Sequence, residues 1–174
     1  MNRRLYVAFV TTALASGAAC GETSNATAVL AMPSSEGFGA VSAVLEPNCG
    51  TLDCHGAPAR NLRVYGKRGL RFDGSHVTGA MVDTTPSEIG ATYQSLLGLQ
   101  PEMLSQVFAE RGRDPQRWIV ITKARGLENH VGKDRLPSGS PGDRCLVTWA
   151  SGTLDKAACG ADAFGPVPRA GEVW

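Results

Sequence analysis

The stretch from Cys49 to Cys54, followed at once by His55 and Gly56, constrains this chain more than any other. Two thiols this close, with an imidazole beside the second, lend themselves to a small number of uses. They can close on each other, since a Cys49–Cys54 disulfide is sterically possible. They can also bind zinc, which takes both sulfur and imidazole, although consecutive Cys54 and His55 depart from the usual spacing of structural zinc sites. Three further cysteines, Cys20, Cys145 and Cys159, bring the total to five. With Cys20 set aside, four cysteines permit three connectivities, and the sequence leaves the choice open.

Cys20 is set aside by its surroundings. Arg3 and Arg4 precede an apolar run from Leu5 to Ala15, and small residues then lead to Ala19-Cys20-Gly21. This has the plan of an export signal, with an apolar segment too short to span a bilayer as a stable helix. It resembles a bacterial lipoprotein signal, which implies removal of residues 1–19 and a lipidated Cys20 facing the periplasm or cell surface. An oxidising compartment follows from export, and disulfides persist there. The formal charge of the 174-residue chain is +1, so composition offers no electrostatic footprint for nucleic acid.

Residues 20–37 read as a flexible tether, rich in Ser, Thr, Ala and Gly. A domain over 38–159 follows, with a flexible tail over 160–174. Phe38, Val41, Val44 and Leu45 form an apolar helical stripe. Pro47 is expected to end that helix at about Glu46. Between Ala57 and Phe72, Arg60, Arg63, Lys67, Arg68 and Arg71 read as a solvated charged loop, although arginines there can also pair with acidic ligand groups. His76 lies in a turn. Thr85-Pro86-Ser87-Glu88 predicts a capped helix start, with Gly98 as its stop. A further helix is expected from Pro101 to about Arg111, with Met103 beside its core face. Trp118 to Thr122 has the propensity of a strand, but pattern alone leaves it open between a strand and an extended or helical segment. Thr122 to Gly142 reads as a loop holding His130, and Ser140 caps a last helix bearing Cys145, Leu146 and Trp149. The fold class is therefore mostly α, a small helical domain with long Gly/Pro-rich loops.

The helix before the cysteine motif, the Cys54-His55-Gly56 triplet, the loop at His130 and the terminal helix ending Leu146 to Gly152 together resemble class I cytochrome c-like domains. The resemblance spans roughly residues 38–154, with a four-residue spacer where the usual site is C-x-x-C-H. It implies haem c attached covalently through Cys49 and Cys54, with His55 and His130 as iron ligands. Cys145 and Cys159 are then left to pair, closing a loop worth roughly 3 kcal/mol in the chain-entropy model. The implied function is one-electron transfer to a redox protein partner, with no catalysis, from a membrane-anchored carrier. The alternative is a haem-free, disulfide-stapled lipoprotein with a binding or structural role.

Overall fold

A capping box sets the first long element after the cysteine motif. Thr85 accepts from the Glu88 N–H at 3.3 Å while the Glu88 carboxylate accepts from the Thr85 N–H at 2.8 Å. With Pro86 in the first turn this starts the helix where the sequence predicts. The computed structural model describes residues 29–72 and 82–160. Cys20, His76, Met81 and the expected tail after Gly160 lie outside them. Among the described residues the chain is mostly helical: α1 (Phe38–Cys49), α2 (Pro86–Leu97), α3 (Pro101–Ala109), α4 (Ile119–Ala124) and α5 (Pro141–Ala150). A 3-10 turn at Pro115–Arg117 precedes α4. The only β pairing among these residues is an isolated bridge between Tyr65 and Leu70.

Helix α1 packs on α2 and α5, and α5 also meets α3 and α4. Aromatic rings fill the junction. Phe38 stands 5.0 Å from Trp149 and 5.3 Å from Tyr93, while Trp118 packs 6.4 Å from Trp149, between ring centres. Trp118, Phe38, Leu45, Leu96, Leu104, Ile121 and Leu146 are fully buried. Burying one such side chain is worth about 1.5–3 kcal/mol, so this cluster is the main source of stability.

Two local expectations are corrected and one open question is decided. Helix α1 does not stop at Glu46 but runs through Pro47 to Cys49. The ring removes one N–H, yet Asn48 Nδ2 donates to the Val44 carbonyl at 2.8 Å and the Gly50 N–H to Glu46 at 2.9 Å. The lost helical bond is thereby offset within the same turn. The run after Trp118 is helical, because Val120, Ile121 and Ala124 reach one buried side only at helical spacing. Arg71, read as solvated, is buried to 3% side-chain exposure against Glu88 at 1%, with Nε 2.7 Å from the carboxylate. The other basic residues of that loop, Arg60, Arg63, Lys67 and Arg68, are exposed.

The segment just before α1, read as tether, is held to the domain. Tyr93 donates to the Pro33 carbonyl at 2.8 Å and Trp149 Nε1 to Ser34 at 3.0 Å. The Cys145–Cys159 disulfide is present, its Cα atoms 4.9 Å apart, and ties the end of the described chain to α5. Among the described residues no helix is long and apolar enough to cross a membrane.

Candidate functional site

The cysteine motif sits where α1 ends. Cys49 is the last residue of the helix, and the chain then turns back on itself through Thr51 and Cys54. The His55 N–H donates to the Cys49 carbonyl at 2.8 Å, and the Val64 N–H donates to His55 at 2.8 Å. Arg60 clasps the outside of the turn, with Nε donating to the Cys54 carbonyl and Nη2 to Asp53, both at 3.1 Å. The next stretch is pinned to α2: Arg63 N–H donates to Ser95 Oγ at 2.7 Å and Tyr65 N–H to Thr92 Oγ1 at 2.9 Å. These ties turn a six-residue widened motif into a fixed loop.

Gly56 explains why glycine follows the histidine. A Cβ there would lie 2.1 Å from the Gly50 carbonyl oxygen and 2.8 Å from Gly69 Cα, both backbone atoms that cannot rotate away. Gly56→Ala should therefore force the loop apart and destabilise the domain by about 1–3 kcal/mol or more. A drop in the thermal unfolding midpoint checks this, and an unchanged midpoint would show that the loop tolerates the methyl group.

His55 Nδ1 lies 3.1 Å from the Leu62 carbonyl, which that ring nitrogen serves as a donor when it carries the proton. The other nitrogen is then the one free to ligate, the arrangement common to metal-bound histidines. Burial lowers the His55 pKa, against the Leu62 hydrogen bond, with further lowering from His130 and Arg60. The shift favours the neutral ring, the form able to ligate a metal.

His130 arrives from the far side of the domain. It sits in the loop between α4 and α5, whose base is closed by Arg125 against Asp143 at 2.7 and 3.0 Å. Asp143 also accepts from the Gly139 N–H at 2.8 Å, and Leu136 N–H donates to Ala124 at 2.9 Å. Lys123 Nζ reaches the Asn129 carbonyl at 2.9 Å and Glu128 at 2.7 Å. The His55 and His130 ring centres are 6.0 Å apart, with planes inclined by 24°.

Both imidazoles line one cleft of about 370 Å³ with Cys49, Leu45, Leu62, Ile119, Val120 and Ala124. Arg60, Lys123 and Arg135 supply positive charge to the same cleft. Its volume falls in the range of small-molecule and cofactor sites, about 300–1,000 Å³. Cys49 and Cys54 are free thiols, both half-buried as residues. Burial, with Cys54 adding and Arg135 opposing, pushes the Cys49 thiol up to about 12. At neutral pH this holds Cys49 as a protonated thiol. Among the described residues no three His, Cys, Asp or Glu side chains converge to hold a bare metal ion.

The candidate residues thus fall into two groups. Cys49, His55 and His130 share the cleft, with Cys54 in the adjoining turn; Cys145 and Cys159 are paired elsewhere. Sequence reasoning did not find Leu62 as the partner of His55, because a carbonyl has no side-chain signature. Arg60 was legible as a basic residue, but its role as a clasp depends on the turn geometry. No family model matches the chain, and no relative was found among curated proteins or solved structures.

Proposed function

We propose that this protein is a single-haem, c-type electron carrier of the cytochrome c-like kind, held at the cell envelope through a lipidated Cys20. The observation that supports it most is the placement of His55 and His130, remote in sequence, on one apolar cleft beside Cys49. His55 and His130, their ring centres 6.0 Å apart and their planes inclined by 24°, would be the two residues that hold the iron of one haem. Haem would bring its own ring nitrogens to the iron, so two histidines would suffice where a bare ion needs a larger cluster.

When bound, haem supplies the one-electron redox chemistry. The chain's own part is to bind, orient and insulate. Cys49 and Cys54 would hold the group by thioether bonds. His55, its Nδ1 engaged by Leu62, would present Nε2 in a fixed orientation. Leu45, Leu62, Ile119 and Val120 exclude water, while Arg60, Lys123 and Arg135 would offset the propionate charges. The partner is a redox protein, and near-neutral charge gives no reason to expect nucleic acid.

The test is expression with a cytochrome c maturation system, followed by a pyridine haemochrome spectrum. Covalent haem should be found, with a low-spin spectrum and no sulfur-to-iron band. His130→Ala should keep the haem and lose the low-spin state. A protein that carries no haem, with Cys49 and Cys54 joined as a disulfide, would replace this reading with the stapled lipoprotein.

A further inference from the structure

A second cavity, of about 330 Å³, is lined by α1 residues that the histidine cleft does not use. Ser42 and Glu46 lie one helical turn apart on α1, so both side chains reach the same cavity. They are buried to 2% and 6% exposure. Ser42 Oγ and Glu46 Oε1 have no hydrogen-bond partner among the described residues. The other carboxylate oxygen is committed. Glu46 Oε2 accepts from Thr84 Oγ1, which in turn accepts from the Lys67 N–H at 3.3 Å. Gly66 backs the same carboxylate so closely that a Cβ there would lie 2.5 Å from Oε2. The side chain is thus held in place with one oxygen bonded and the other bare. A buried oxygen in that state has lost water without a replacement, and a donor brought to it restores the missing bond.

Calcium suits this arrangement poorly, since it takes about six to eight oxygens, several of them carboxylate. Among the described residues no such acidic group converges, and Asp83 at the mouth is engaged by Lys67 at 3.2 Å. An ammonium group brings three N–H donors and one positive charge, which match a carboxylate oxygen beside a hydroxyl. Ala43, Pro47 and Ile89 give the cavity apolar wall for a short hydrocarbon chain. Lys67 and Arg68, both exposed, place positive charge at its mouth. We propose that this cavity binds a small primary amine with a carboxylate at its other end. The ammonium rests on Glu46 Oε1 and Ser42 Oγ, and the carboxylate faces Arg68. No residue of the cleft takes part, so the site stands independently of the haem reading.

The probe is γ-aminobutyrate, titrated into the isotope-labelled full chain and followed by amide NMR shifts. Saturable shifts are expected at Ser42, Glu46 and Arg68, with His55 and His130 unmoved. Butyrate, which lacks the ammonium, should bind about 10- to 100-fold more weakly, the loss expected for hydrogen bonds to a charged group. Glu46→Gln keeps the side-chain size and should weaken γ-aminobutyrate by a similar factor. Ser42→Ala should weaken it about 10-fold without lowering the thermal unfolding midpoint, because the oxygen removed has no partner in the free protein. Arg68→Ala should weaken γ-aminobutyrate about 2- to 5-fold and leave butylamine unchanged. The proposal is overturned by no saturable shift, by equal binding of butyrate and γ-aminobutyrate, or by undiminished binding in folded Glu46→Gln. Calcium ion that shifts the same amides where the amine does not would also overturn it, and make this a metal site.

Discussion

Replacing Arg71 with methionine should lower the unfolding free energy by about 3–5 kcal/mol at pH 7, because it strands a buried carboxylate. The Glu88 side chain is 1% exposed and that of Arg71 3%. Glu88 accepts from Arg71 Nε at 2.7 Å, from the Phe72 N–H at 3.1 Å and from the Thr85 N–H at 2.8 Å. Burial alone would raise its pKa. The Thr85 and Phe72 N–H groups and the guanidinium outweigh it, and the net shift is downward from 4.5. A folded-state pKa below the unfolded one means that the unfolded chain binds more protons in acid. The stabilisation is therefore present above the unfolded carboxylate range and is lost as pH falls through the folded pKa. Denaturant titrations across pH 3–7 should show that loss in wild-type protein, and Glu88→Gln should flatten it. A wild-type profile no steeper than that of Glu88→Gln would show that the carboxylate is not held in its charged form. Arg71 also donates to the Val82 carbonyl at 3.1 Å and to Asp83 at 3.2 Å. The same substitution therefore frees the chain leading into α2, which adds to the loss.

The second large effect is expected from the disulfide. Replacing Cys145 and Cys159 together by alanine should cost about 3 kcal/mol, the chain-entropy value for a loop of this size. The pair is separated by 14 residues, and both sulfurs belong to buried residues of the core. Removing it also releases the turn after α5, where the Ala158 N–H donates to Asp155 at 3.0 Å. Chemical denaturation of the double variant, at unchanged m-value, reads the effect directly. A midpoint equal to wild type would show that Trp149, Leu146 and Ala150 hold this end of the domain without the crosslink. Because the disulfide lies outside the cleft, the variant should leave ligand binding in the cleft unchanged. That separates a stabilising crosslink from a ligand-binding role.

The helices were legible in the sequence because their causes are local. Thr85-Pro86-Ser87-Glu88 starts α2 through a capping box made of its own side chains. Ser140 caps α5 with its side chain alone, accepting from the Asp143 N–H. The apolar stripe of Phe38, Val41, Val44 and Leu45 shows the buried face of α1 in its spacing alone. Gly56 was visible as part of the motif, though not the backbone crossing of Gly50 and Gly69 that requires it.

Other features depend on groups distant in the chain, and no window of sequence contains them. Pro47 has the local effect of a helix breaker, yet the packing of α1 on α2 and α5 carries the helix to Cys49 and so aims the cysteine at the cleft. The run at Trp118 has strand propensity, but one-sided burial against α5 makes it helical. Arg71 reads as one more basic loop residue until Glu88 is folded over it. The sequence by itself determined a mostly helical domain and singled out Cys49, Cys54, His55 and His130 as candidates. Tertiary structure alone decided that His55 and His130 lie 6.0 Å apart on one cleft, because the Arg125–Asp143 pair closes the base of the second histidine's loop.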